Sequence, residues 1–468
     1  AASDVYKRQS GQDNVLGTAN VKTLLRQLAI PAITAQVVNV LYNVVDRMYI
    51  GHIPDIGALA LTGVGVCMPI IMLITAFAAL VSMGSAPRAS VLMGRGDNEE
   101  AHYTLGNSFI MLIIIALILT VFFRRFAEPL LMAFGASENT IGYAMDYMRI
   151  YTLGTIFVQF ALGLNAFITA QGFAKISMAT VVIGAVINIV LDPIFIFGFH
   201  MGVKGAALAT IISQAVSAIW VLRFLTGKKT ILKLQKKYFR LRGSVVGPCL
   251  LLGMSPFIMQ ATESAISVCF NSSLYRYGSD IAVGAMSILT SIMQFSMLPL
   301  QGFTQGAQPI TGYNFGAGNA DRVRQTFRLL LRYCLTYSLI LWAICMVFPR
   351  LIPSMFTGDE QLLTYTAWAL RHYMALSGIF GIQIACQQTF IAIGNAKTSL
   401  FLAVYRKIIL LIPLIYILPA ILEQKDRAVF LAEPVADFIA VTTTAIMFAY
   451  QFKNAMKKLE AGKKPAEA

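Results

Sequence analysis

Charge is scarce in this chain of 468 residues: 13% are Asp, Glu, Lys or Arg, against about 25% in ordinary soluble domains. With 57% hydrophobic residues and a mean hydropathy of +0.69, it has more apolar surface than a water-soluble fold can hide. Histidine is also rare, at four residues. The six cysteines, Cys67, Cys249, Cys269, Cys334, Cys345 and Cys386, show no CxxC and no His at ligand spacing. That excludes a disulfide framework and a Cys/His metal centre, and the cysteines read as small core residues. There is no HExxH, phosphate loop or nucleophile–base pair, so nothing points to an enzyme or a bound cofactor. No cleavable signal peptide is expected. The chain opens Ala1-Ala2-Ser3-Asp4-Val5 without Met, and the stretch to about Gly11 is expected to be foreign to the natural protein.

What is present is long uncharged sequence. Positions 108–123, 176–199 and 333–348 carry almost no charge, over close to the ~20 residues a bilayer-spanning helix needs. Hydropathy read against Gly, Pro and charged breaks predicts twelve spans, at 23–50, 57–92, 98–123, 139–171, 175–199, 203–225, 245–276, 279–313, 320–348, 360–394, 397–421 and 428–453. Pro31, Pro193, Pro256 and Pro413 fall inside spans and are the expected kinks or local unwindings.

Half of the chain repeats the other half. Residues 84–177 recur without a gap 222 positions on (306 − 84 = 222). Gly84, Pro87, Gly94 and Gly96 become Gly306, Pro309, Gly316 and Gly318, and Gly172, Ala174 and Lys175 become Gly394, Ala396 and Lys397. A six-span repeat leaves the membrane on the side it entered. The expected fold is therefore an all-α membrane protein of two parallel, pseudo-symmetric six-helix lobes with a central site. The divisions are a segment 1–22, an N-lobe 23–225, a basic linker 226–244, a C-lobe 245–453 and a basic tail 454–468.

The net charge of +15 is a topology signal. Loops on the side of the termini hold Arg88, Arg95, Lys175, the run from Arg223 to Arg242, and Arg322, Arg324, Arg328 and Arg332; the opposite loops hold far fewer. Both termini are assigned to the cytoplasm, in the plasma (inner) membrane. With no aromatic platform or reader fold, nucleic acid is not a partner. The linker is expected to lie as an amphipathic segment on the anionic inner leaflet, with membrane lipid as its partner.

Charged residues inside spans cost at least about 2.5 to 3.5 kcal/mol, so each is a functional candidate. Asp192 stands seventeen residues into span five, at roughly 25 Å of rise, and Asp46 sits at matching depth, four residues before the outer end of span one. Asn188 lies one turn before Asp192 on its face, and Thr210 is about 10 Å below the outer surface in span six. Two carboxylates, an amide and a hydroxyl at one level form an oxygen-rich set suited to a proton or a sodium ion. The bland alternative is that Asp192 caps a helix broken at Pro193 while Asp46 pairs with Arg47. Asp146 and Arg149, three apart, read as a local ion pair. Glu263 either faces a cationic solute or neutralises Arg406 or Lys407, and Asp437, one turn from Glu433, adds negative potential to a C-lobe cavity. The 21 Met and 11% aromatic residues suit an adaptable pocket.

The segment from Pro31 through Asp46-Arg47-Met48-Tyr49-Ile50-Gly51 resembles multidrug and toxic compound extrusion (MATE) transporters, in their DinF-like branch with MepA-type pumps. So do Gly84-Ser85-Ala86-Pro87 with Gly94-Arg95-Gly96, Gln171-Gly172, Asn188-x3-Asp192-Pro193, Gln305-Gly306-Ala307-Gln308-Pro309 and Asn314-Phe315-Gly316-Ala317-Gly318. The likeness covers the chain after about residue 22. It implies export of an organic cation or amphipathic drug against inward H+ or Na+, by alternating access. It also implies that Asp46, Asn188, Asp192 and Thr210 hold the ion, that Pro31 marks a bend and that Asn165 lines the N-lobe cavity. Glu263 matches a cation-binding Glu of another branch, whose companion Asp has no counterpart in Tyr373-Met374-Ala375-Leu376. A monomer is expected. The alternative within the wider superfamily is a flippase for lipid-linked precursors, which calls for a cationic cavity and more deep basic residues than this chain offers.

Overall fold

The computed structural model describes residues 15–278 and 280–462. The stretch expected to be foreign, up to Gly11, and the tail lysines Lys463 and Lys464 lie outside these residues. The predicted spans appear as α1 (Val21–Gly51), α2 (Gly57–Gly94), α3 (Asn98–Ala133), α4 (Ile141–Ala170), α5 (Ala174–Gly198) and α6 (Val203–Thr226). The second set is α7 (Gly243–Tyr277), α8 (Ile281–Gly316), α9 (Ala320–Val347), α10 (the pair Glu360–Tyr373 and Ser377–Ala392, bent by 50°), α11 (Ala396–Ile421) and α12 (Lys425–Glu460). Among the described residues there is no strand. Short polar caps start several of the helices: Asn20 Oδ1 accepts from the Lys22 and Thr23 amides (3.0 and 3.3 Å), and Asp359 does the same for Gln361 and Leu362 (2.8 and 3.2 Å).

The sequence repeat is a repeat of backbone geometry. Gly96 and Gly318 turn at φ 77° and 80°, and Gly172 and Gly394 at 89° and 83°, values that an L side chain adopts only with strain. A 3-10 turn at Thr152–Gly154 interrupts α4, and α10 breaks at 374–376, the same place in its own repeat. Where the lobes meet, Gly94 of α2 lies on the Tyr313 backbone while Gly316 of α8 lies on the Val91 backbone. These contacts are reciprocal, because 313 and 316 are the repeat partners of 91 and 94. Neither glycine has room for a Cβ.

The seam extends as Gly84 of α2 on Cys249 of α7, and its repeat partner Gly306 of α8 on Ala29 of α1. Higher up, the Phe77 and Phe257 rings stand 5.0 Å apart and Gln260 donates to Thr75 Oγ1 at 2.9 Å. Each lobe thus packs its second helix on the first helix of the other. Leu16 and Ala19, near the start of the described residues, and Glu460, near their end, lie at the glycine end of this seam. There the Arg322 guanidinium donates to the Leu16 and Ala19 carbonyls (3.0 and 2.8 Å), and Arg324 pairs with Glu460.

The linker is held to the protein by two side-chain amides. Gln171 Oε1, in the α4–α5 turn, accepts from Thr230 Oγ1, the Ile231 amide and the Leu232 amide at 2.9, 2.7 and 2.9 Å. Asn107 holds the distal part through Tyr238, Arg240 and Arg242. Ile231 and Leu232 are buried against the protein, and the neighbouring lysines 228, 229, 236 and 237 point outward. One buried side-chain carbonyl thus satisfies three donors of this short apolar stretch.

Candidate functional site

The N-lobe cluster grows out of an irregular stretch of α5. Pro193 lacks the N–H that would continue the ladder, and the helix passes into a π segment at Ile194–Gly198. Asp192, just before it, and Asn188, one turn earlier, are fully buried. The Asn188 amide donates to Asp192 Oδ1 at 3.3 Å and to Thr210 Oγ1 of α6 at 3.4 Å. Asp46 reaches in from α1, 9% exposed, with its carboxyl beside that of Asp192. Among the described residues no ion pair joins Asp46 or Asp192 to a basic side chain, Arg47 included. Asp46 Oδ1, Asp192 Oδ2 and Asn188 Oδ1 are buried without a partner. The structure therefore brings all four residues together.

Three tyrosines that the sequence reading missed border this cluster. Tyr147 of α4 is in hydrogen-bonding reach of Thr210 and stacks on Tyr151, with centroids 5.8 Å apart. Tyr42 stands one turn before Asp46. The signal was available: Tyr147 and Tyr151 share a helical face at i, i+4, as do Tyr42 and Asp46.

The C-lobe centre is built differently. A π segment, Tyr405–Leu411, widens α11 just before Pro413 and carries two buried cations. Arg406 binds Asp437 Oδ1 through Nε (2.8 Å) and Glu433 Oε1 through its terminal nitrogen (2.8 Å), and its guanidinium lies 4.6 Å from the Phe380 ring centroid. Lys407 Nζ is 2.6 Å from Glu263 Oε1. Asp437 is thus buried against Arg406, where the sequence reading had it adding negative potential to a cavity. Glu263, paired to Lys407, keeps its side chain 53% exposed.

Two further candidates take other partners. Asn165 donates to the Ser177 carbonyl (3.3 Å) and accepts from Thr180 (3.0 Å), tying α4 to α5 away from the carboxyl cluster. Asp146 pairs with Lys204 of α6 at 3.6 Å instead of Arg149, which corrects the expected local pair. The exposed start of α6 offers a cation whose geometry does not depend on one helix's own spacing. Pro31 is buried inside α1, which continues through it without a break.

No cluster of three or more His, Cys, Asp or Glu suited to a metal occurs among the described residues. Hard oxygen donors with two carboxyls suit a proton or an alkali cation better than a transition metal.

Comparison with known proteins agrees with this architecture. The Multidrug export protein MepA of Staphylococcus haemolyticus is 26% identical over 422 residues, covering 89% of this chain and 92% of that protein. The protein of the same name from Staphylococcus saprophyticus is 24% identical over 404 residues, 84% of this chain and 86% of that one. These relatives are named as exporters, not enzymes. A crystal structure of a MATE protein in its bent conformation superposes with a TM-score of 0.89 at 23% identity, over 96% of this chain and 99% of that one. At that identity the likeness concerns the fold. The MatE family model matches residues 31–194 and again 256–417, once over each lobe, and the chain accordingly belongs to the MatE family of multi-pass membrane transporters.

Proposed function

We propose that this protein is a cation-coupled antiporter that exports organic cations or amphipathic drugs, with H+ or Na+ moving inward through Asp46, Asn188, Asp192 and Thr210. The observation that carries the reading is the pair of buried carboxyls Asp46 and Asp192, without an ion pair to a basic side chain among the described residues and each with an unpartnered oxygen beside that of Asn188. Two carboxylates in contact at low dielectric do not both remain bare anions, so the pair takes up a proton or a cation. The names of the staphylococcal relatives support a drug as the outgoing solute.

Coupling follows from chemistry in α1. Pro31 leaves the Gln27 carbonyl without its helical donor, a weak point fifteen residues before Asp46. Neutralising the cluster removes the repulsion between the two carboxylates, lets the outer part of α1 close toward α5 and favours a bend at Pro31, changing the shape of the N-lobe cavity. The lobes then alternate about the glycine seam. A membrane potential contributes about 2.3 kcal/mol per 100 mV for each charge moved inward. Glu263 is the cavity candidate with an exposed carboxylate and is assigned to the solute; Asn165 and Asp437 brace the walls. The termini lie in the cytoplasm, the working unit is one chain in the plasma membrane, and lipid surrounds it. The buried cations Arg406 and Lys407 are both matched by carboxylates, so the centre of the C-lobe offers a flippase of anionic precursors no unmatched cation.

The test is ethidium efflux from proteoliposomes under separately imposed pH and sodium gradients. Efflux driven by at least one of the two gradients supports antiport; transport indifferent to both overturns it.

A further inference from the structure

At the end of the bundle where Leu16 and Glu460 lie, a cavity of about 390 Å³ opens between the lobes. One wall is α2, with Arg88, Val91, Leu92 and the following Arg95. The facing walls are Pro248 and Leu252 of α7, the α10–α11 turn and the last turns of α12, where Lys458 lies. Its ionic lining has one sign: Arg88, Arg95 and Lys458 face it and no carboxylate does. Among the described residues none of the three has an ion-pair partner. Arg88 Nε is buried with nothing to donate to. Gln451 Oε1 is already taken by Asn395 and Thr398, both at 2.7 Å, which leaves its NH2 group as a further donor at the rim.

A surface basic residue that only reports topology keeps its head group in water. Arg88 departs from that rule, half-buried with an idle donor, and with the exposed Arg95 and Lys458 at the same cavity, none of them ion-paired among the described residues, it forms a receptor for an anion. Arg forks match phosphate oxygens in particular. The other lining is apolar, with Val91, Leu92, Leu252, Phe315 and Leu459 among it. An organic cation is repelled here, so this is not the drug cavity.

We propose that this cavity binds a phosphate-bearing anion with an apolar portion, and that the ligand bridges α2 of the N-lobe to α7 and α12 of the C-lobe, latching the glycine seam shut. The inference goes beyond the antiport reading and stands without it. The phosphate has two possible sources, an acidic phospholipid headgroup and a soluble organic phosphate.

The experiment uses the purified full chain in detergent and follows thermal unfolding. Dioleoylphosphatidylglycerol, dioleoylphosphatidylcholine and ATP are each titrated against the wild type, R88Q/R95Q/K458Q and R88K/R95K. A Tm that rises with phosphatidylglycerol but not phosphatidylcholine, with affinity at least roughly tenfold weaker in the Gln variant and retained in the Lys variant, establishes a lipid headgroup as ligand. The same pattern with ATP alone establishes a soluble phosphate. No rise with either anion, or an equal rise in wild type and Gln variant, overturns the proposal. Should the triple variant fail to fold, R88Q alone is read by the number of phosphatidylglycerol molecules retained in native mass spectrometry: fewer than wild type supports the site, an equal number refutes it.

Discussion

Lys407 Nζ lies 2.6 Å from Glu263 Oε1, a nearly buried cation held by a carboxylate that is itself half open. Exposed pairs contribute about 0 to 1 kcal/mol and breaking a fully buried one costs about 3 to 5 kcal/mol, so Glu263→Gln should lose about 1 to 3 kcal/mol. The loss arises because Lys407 keeps its charge without a partner. Glu263→Gln with Lys407→Met should recover most of it, as measured by Tm in detergent. A double variant no more stable than the single one would mean the pair is incidental.

Arg406 poses the harsher version of this problem. It satisfies Asp437 and Glu433 together, and all three side chains are under 9% exposed. Arg406→Met should therefore cost more than Glu263→Gln, about 3 to 5 kcal/mol. The readout is the yield of monodisperse protein on size exclusion. A well-behaved Arg406→Met with an unchanged Tm would show that the two acids carry protons instead.

Asp46→Asn should abolish ethidium efflux driven by an ion gradient while leaving Tm within a few degrees of the wild type, since it removes a buried charge without removing bulk. Asp192→Asn should do the same, and the double variant should be no worse than either alone, because the two carboxyls act as one acceptor. Wild-type efflux in Asp46→Asn removes this residue from the coupling path.

How much of this was legible in the sequence depends on the distance over which each contact is decided. The spans, and the shared depth of Asp46, Asn188, Asp192 and Thr210, follow from hydropathy and a rise of 1.5 Å per residue, which any straight helix obeys. The cluster forms because α1, α5 and α6 present those faces to one another, consistent with the polar sides of apolar helices having nowhere else to turn. In the C-lobe the Glu263–Lys407 pair was one of the two readings the sequence offered, but the contacts of Arg406 were out of reach. Whether Asp437 faces a cavity or Arg406 depends on the π segment Tyr405–Leu411, which rotates everything after it and leaves no mark in composition. Asp146 chose Lys204 over Arg149 for a similar reason, a tertiary neighbour beating a spacing rule. The hold on the linker was not legible either, because its lysines drew attention from Gln171, whose three acceptor contacts fix it.

Gln171→Ala should free that linker. Removing the acceptor strands the Ile231 and Leu232 amides, while the Thr230 hydroxyl keeps the Leu232 carbonyl at 2.8 Å; each donor left buried costs roughly 1 to 3 kcal/mol unless the segment leaves the protein for water. Release is the cheaper outcome, so trypsin should cut after Lys228, Lys229 or Lys233 several times faster than in the wild type, and the lobes should remain folded. Cleavage at the wild-type rate would show that burial of Ile231 and Leu232, and not Gln171, holds the segment.

Gly94 and Gly316 supply the last prediction, and pseudo-symmetry sharpens it. Each lies on the backbone of the other lobe at the repeat partner of the other's contact, so an added methyl group meets the same obstacle in both. Gly94→Ala and Gly316→Ala should each cost about 1 to 3 kcal/mol through overpacking, and by similar amounts. Because both force the same seam apart, Gly94→Ala/Gly316→Ala should cost less than the sum of the two, since a seam already opened by one methyl group accepts the second more cheaply. Strict additivity in Tm, or a marked difference between the single variants, would mean that the two halves of the seam yield independently and that the lobes do not move about it as one hinge.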